Sequence, residues 1–115
     1  MGHVTLYDCS KKPILLGVVK AHQNHIAALG LDPNGSLLAT ASTTGTIVRV
    51  FNTKNLSTRC EFRRGSTYAG ISALTFSYSS EFLCVSSDKP TIHIFKISST
   101  ENPTYFFSRF SCNFC

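Results

Sequence analysis

The tetrapeptide Phe62-Arg63-Arg64-Gly65 is where this sequence comes closest to a binding chemistry. A guanidinium offers a planar fork of N–H donors that matches phosphate, and glycine lets the backbone turn with no side chain in the way. At the end of a β-strand, successive side chains project to opposite faces. Arg63 and Arg64 then diverge, and the pair serves two neighbouring anionic sites. The same residues also suit a solvated strand end, and taken alone they do not choose between the two readings.

Two further residues stand out by their surroundings. Arg49 interrupts the otherwise apolar run Ile47-Val48-Arg49-Val50-Phe51, and an unpaired buried charge is costly, so its presence there marks it for function. His93 lies between Ile92 and Ile94; alternation turns it away from both and predicts a surface-facing, ligand-ready imidazole. Catalytic patterns are missing: Ser42, Ser87, His22 and the few acids form no nucleophile elbow, phosphate loop or zinc-hydrolase motif, and no enzyme is expected. Cys9, Cys60, Cys84, Cys112 and Cys115 are odd in number and scattered, so they are expected as thiols, with Cys84 a small core residue between Leu83 and Val85. Cys112 and Cys115 supply only part of a zinc ligand set, so no metal and no cofactor are expected.

The elements that hold these residues follow from an internal repeat. A constant offset of 45 matches Ile26/Ile71, Ala28/Ala73, Leu29/Leu74, Leu38/Leu83, Ser42/Ser87, Thr46/Thr91 and Ile47/Ile92. A period of about 40 to 45 residues built from short β-runs is the signature of propeller blades. In the central unit, strands are predicted over residues 25–31, 37–41, 46–51 and 58–64, with Asp32-Pro33-Asn34-Gly35 and Thr43-Thr44-Gly45 as turns. The next unit repeats the scheme over residues 71–76, 82–86 and 91–97, with its fourth strand missing or degenerate. Upstream, Gly2 to Asp8 echoes Gly45 to Asn52, and residues 14–20 read as an outer strand of a preceding blade.

The chain is therefore predicted to be all-β: residues 1–20 end one blade, 21–65 form a complete four-stranded blade, and 66–97 form part of the following one. Residues 98–115 form a divergent aromatic tail whose Tyr105, Phe106, Phe107, Phe110 and Phe114 fit no repeat register. Such aromatics suit either a membrane interface or an end with no selected role. A propeller closes with about four or more blades, so the chain is expected to be a fragment of a larger ring. Composition sets the outer bounds. The 115 residues, 43% hydrophobic and 15% charged, suit one folded domain and exclude both general disorder and a multi-domain enzyme. The longest uncharged apolar run, residues 13–19, is far below the ~20 residues of a membrane-crossing helix. The N-terminus lacks a signal-peptide profile and carries Leu6 where myristoylation needs Ser or Thr, which predicts a cytoplasmic chain. The 11 Lys and Arg against 6 Asp and Glu, net +5, are spread without interleaved stacking aromatics, so no nucleic-acid partner is expected.

Residues 21–97 resemble the phosphoinositide-binding WD-repeat family known as PROPPINs, the WIPI proteins of animals. The resemblance rests on Ala21-His22, Leu38-Ala39-Thr40-Ala41-Ser42, Gly45-Thr46-Ile47-Val48-Arg49-Val50-Phe51, Glu61-Phe62-Arg63-Arg64-Gly65, Ser86-Ser87 and Thr91-Ile92-His93-Ile94-Phe95. It implies a seven-bladed WD-repeat β-propeller, of which this chain holds about two blades, with Phe51-Asn52 and Phe95-Lys96 replacing the usual Trp-Asp endings. It also implies a non-enzymatic effector of autophagosome assembly that binds phosphatidylinositol 3-phosphate and the 3,5-bisphosphate. Recruitment would be peripheral, to phagophore or endosomal membranes, with autophagy-related proteins as partners. Matching the family's motif residue by residue gives a first lipid pocket of His22, Thr40, Ser42, Gly45, Thr46, Arg49 and Arg63, and a second of Arg64, Gly65, Ser87, Thr91 and His93. His22 and Ser42 also occupy positions where WD blades brace their own strands, and Pro90, aligned with Gly45 by the repeat, threatens the second pocket. Two alternatives stand beside this: a protein-interaction scaffold that binds no lipid, and an inactive truncated product.

Overall fold

The structure is a computed structural model that describes residues 1–97 and the backbone of residues 107–111. Three antiparallel sheets stack on one another. β1 (His3–Asp8) and β2 (Ile14–Lys20) form a two-stranded sheet; β3 (Ile26–Leu31), β4 (Leu37–Ser42), β5 (Ile47–Asn52) and β6 (Thr58–Arg63) form the central one in sequence order. β7 (Ile71–Phe76), β8 (Phe82–Ser87), β9 (Thr91–Lys96) and β10 (Phe107–Ser111) form the third, also in sequence order. This is the blade pattern expected from the repeat. Among the described residues no helix is long and apolar enough to cross a membrane.

The turns form where side chains satisfy the backbone. The buried carboxylate of Asp32 accepts from Ser36 N at 2.7 Å, Leu37 N at 2.9 Å and Ser36 Oγ at 2.8 Å, closing the β3–β4 turn. It also accepts from Ser80 Oγ of the third sheet at 2.8 Å, so the turn is tied to the neighbouring blade. Burial alone would raise its pKa, but the bonds from Leu37, Ser36 and Ser80 outweigh it and hold the carboxyl below the ordinary carboxylate value.

Alternation sorts the central sheet into two apolar faces. Ala39, Ala41, Val48, Val50, Cys60 and Phe62 join Ile71, Leu74, Leu83, Val85 and Phe95 of the third sheet in one core, where the rings of Phe62 and Phe95 stack at 4.6 Å and 14°. Leu38 and Phe51 on the other face pack with Val4, Val19 and Ala21. Buried in the first core, the Cys60 thiol is pushed up to about 11, as inert as its surroundings imply.

Two expectations need correcting. The third sheet has a fourth strand: Phe107–Ser111 pairs with β9, Phe107 opposite Phe95 and Ser111 opposite Thr91. Residues 98–106 and 112–115, with the aromatics Tyr105, Phe106 and Phe114, lie outside the described residues. The repeat offset is also not constant. Thr40 stands opposite Arg49, and its counterpart Val85 stands opposite His93, so the second β-hairpin is one residue shorter. By register His93 corresponds to Arg49 and Ile92 to Val48, while the Thr46/Thr91 and Ile47/Ile92 identities are out of register. Pro90 accordingly falls at the position of Thr46, not of Gly45.

Candidate functional site: an interblade cleft and two diverging arginines

The first cleft opens between the β1–β2 sheet and the central sheet. It is a cavity of about 420 Å³ lined by Lys20, His22, Ser42, Thr44, Thr46 and Arg49 among others. Of the residues expected in the first pocket, His22, Ser42, Thr46 and Arg49 line it directly. Thr40 lies fully buried behind His22, its Oγ1 at 2.9 Å from His22 Nε2, and supports the ring instead of facing the cavity.

Arg49 is not unpaired. Its Nε donates to Glu61 Oε2 at 3.2 Å, across the β5–β6 ladder, and its Nη1 donates to the Ala21 carbonyl. A guanidinium has about five N–H donors, so these bonds orient the group and leave the others toward the cavity. Arg63 lies two residues beyond Glu61 on the same strand face, exposed and opposite Ile47, beside the cavity lining. Burial drives the His22 pKa down; its bond to Thr40 opposes this and the Arg49 charge reinforces it, so the ring is held neutral near neutral pH. A neutral imidazole donates one hydrogen bond, and with the Thr40 hydroxyl turned to the Arg49 carbonyl at 3.5 Å that bond is the one His22 Nε2 gives to Thr40 Oγ1.

Gly45 contributes through its backbone. Its φ is +68°, and a Cβ there would stand 1.9 Å from the Ala69 carbonyl oxygen. Only glycine lets the β4–β5 turn approach the β6–β7 connection so closely.

The second set is divided between the end of the central sheet and the third sheet. Arg64 leaves β6 on the face opposite Arg63 and is 6% exposed against an exposed Arg63, which is the divergence that strand geometry requires. Its guanidinium donates to the carbonyls of Gly45 and Thr67, so it braces the connection that follows it, through Gly65 and on to Thr67. On the facing sheet, Ser87 continues the Leu83 and Val85 face and accepts from Lys89 N at 3.2 Å, while Thr91 is half-buried. His93 does turn away from its neighbours in sequence, but toward the interior: it is 3% exposed, and its ring lies parallel to that of Phe95 at 6.0 Å. The expected surface-facing imidazole is therefore corrected, because this face of β9 packs on the central blade.

Three features of the first cleft were not expected from sequence. Lys20, on β2 of the preceding sheet, and Thr44 line the cavity, and Glu61 positions Arg49. The arrangement can recognise anions: the cationic groups of Lys20 and Arg49 converge with the hydroxyls of Ser42, Thr44 and Thr46. Among the described residues no group of His, Cys, Asp or Glu could hold a metal ion.

Fold and cleft together define a stretch of β-propeller with a polar, cation-bearing cleft between the β1–β2 sheet and the central blade. The chain belongs to the PROPPIN family, whose profile matches residues 1–109. It is similar to autophagy-related protein 18 of Kluyveromyces marxianus, 52% identical over 80 residues that make up 70% of this chain and 16% of that protein. The autophagy-related protein 18 of Dictyostelium discoideum is 48% identical over 92 residues, 79% of this chain and 25% of its own length. The crystal structure of Hsv2 from Kluyveromyces marxianus matches with a TM-score of 0.77 at 35% identity, over 85% of this chain and 31% of that one. A complex of KlAtg21 with the coiled coil of AgAtg16 matches with a TM-score of 0.70 at 31% identity, over 84% of this chain and 36% of the solved one. The chain thus spans well under half the length of these relatives.

Proposed function

We propose that this chain binds the headgroups of 3-phosphorylated phosphoinositides, phosphatidylinositol 3-phosphate and the 3,5-bisphosphate, in two separate interblade clefts. It acts without catalysis, as a peripheral membrane effector in autophagosome assembly at phagophore or endosomal membranes, together with autophagy-related protein partners. One observation carries the reading: Arg63 and Arg64 leave β6 on opposite faces, Arg63 exposed beside the first cleft and Arg64 6% exposed on the other side of the sheet. His22, Thr40, Ser42, Gly45, Thr46, Arg49 and Arg63 belong to the first site, Arg64, Gly65, Ser87, Thr91 and His93 to the second. Lys20 and Thr44 extend the first.

Vesicle flotation tests it. Vesicles containing either lipid should carry the protein up the gradient while phosphatidylinositol vesicles do not, and Arg63→Thr with Arg64→Thr should abolish the difference. Lipid-selective flotation that survives both changes would overturn the proposal. Circular dichroism of the variant separates loss of binding from loss of fold, since Arg64 also braces its loop.

A second reading, a scaffold for a helical protein segment, draws on the KlAtg21 complex with an AgAtg16 coiled coil. A cleft of about 400 Å³ with Arg59 and Glu81 at the opposite ends of the strands suits such a partner.

A further inference from the structure

We infer that Tyr68 is an interfacial anchor that enters the headgroup layer of a bilayer between the two clefts. This rests on the proposed lipid reading and adds a contact to it. Tyr68 lies in the connection from β6 to β7, and its side chain leaves the residue 75% exposed. One exposed aromatic is ordinary on a protein surface; the backbone beneath this one is not. On one side, the Arg64 guanidinium holds the Thr67 carbonyl, and Arg64 N donates to Thr46 O at 2.8 Å. On the other, Ala69 N donates to Thr44 O at 3.2 Å, and Gly70 N donates to Asp88 Oδ1 at 3.1 Å.

Those ties involve residues of both proposed sites. Thr44 and Thr46 line the first, and Arg64 belongs to the second set. The ring is thus presented from a clamped loop tied to residues of both proposed sites. A phenol has an apolar body and a polar tip, which suits the water–lipid boundary, and presentation from a clamped loop limits the entropy lost on docking. Tyr78, 94% exposed at the β7–β8 turn, is equally bare but lies at the other end of β7. It supplies an internal control.

The chain contains no tryptophan, so Tyr68→Trp and Tyr78→Trp each give a single-fluorophore protein. With vesicles of phosphatidylcholine and phosphatidylinositol 3-phosphate, the indole introduced at Tyr68 should blue-shift and be quenched by shallow brominated lipids, while that at Tyr78 keeps its aqueous emission. Tyr68→Ala should weaken vesicle binding several-fold and leave binding of a soluble, short-chain headgroup analogue unchanged. An indole at Tyr68 that stays in water while flotation persists overturns the anchor and leaves the headgroup proposal standing. No flotation by any of the proteins overturns both.

Discussion

Arg49 and Glu61 form an ion pair on the cavity face of the central blade, Nε to Oε2 at 3.2 Å, so the cation best placed in the first cleft is already shared with a carboxylate. On the proposed function, a phosphate in this cleft would compete with that carboxylate for the guanidinium. Glu61→Gln should therefore tighten headgroup binding at the first site by roughly 1.4- to fivefold, in line with the ~0.2–1 kcal/mol that a partly exposed pair is worth. The gain should shrink with added salt. Titration calorimetry with a soluble headgroup analogue checks both, and weaker binding by the variant would show that Glu61 holds Arg49 in place more than it competes for it.

The stacking of the blades depends on Asp32, whose carboxylate accepts from Ser36, Leu37 and Ser80. Asp32→Ala should cost roughly 2–4 kcal/mol in denaturant unfolding at neutral pH. Because the folded pKa is depressed below 3.8, the unfolded chain takes up the proton first on acidification. The stabilisation is fully present above the unfolded value and is lost as pH falls through the folded one. Unfolding followed from pH 7 to 2 should show the difference between wild type and variant closing only below about pH 4; a gap that persists undiminished at pH 2 would contradict the assignment.

Gly45 and Gly35 share a positive φ, +68° and +70°, but differ in their surroundings: a Cβ at Gly45 meets the Ala69 carbonyl oxygen at 1.9 Å, and one at Gly35 meets nothing within 4 Å. Gly35→Ala should cost only the ~1–2 kcal/mol of the left-handed conformation. Gly45→Ala should cost more, because it must also displace the connection carrying Tyr68, and it should weaken vesicle binding where Gly35→Ala does not. Thermal melts with flotation separate the two; equal losses would show that the close approach at Gly45 carries no weight.

Much of this was legible in the sequence where local chemistry decides. Asp32-Pro33-Asn34-Gly35 and Thr43-Thr44-Gly45 place their turns, and alternation alone predicts that Arg63 and Arg64 diverge. The errors have physical reasons too. The identities Thr46/Thr91 and Ile47/Ile92 suggest a constant repeat, but ladder register is set by which residues bury, and Phe51 and Phe95 are the true equivalents. Phe107–Ser111 is hard to read because an outer strand pairs through its backbone and only Phe110, opposite Ile92 as Phe62 is opposite Val48, repeats a side chain of β6. For His93, alternation gives opposition to Ile92 and Ile94 without saying which face is covered, so it does not reveal that the ring is buried. Lys20 and the bonds from Arg64 to Gly45 and Thr67 arise only when separate segments meet in space.

The divergence of the two arginines is tested most directly by counting sites. Titration calorimetry of the protein with a soluble analogue of phosphatidylinositol 3-phosphate should give two sites per chain, and Arg63→Thr, which leaves the Arg64 brace intact, should give one with unchanged affinity. A single site in the wild type, or simultaneous loss of both sites in Arg63→Thr with the fold preserved, would contradict the account.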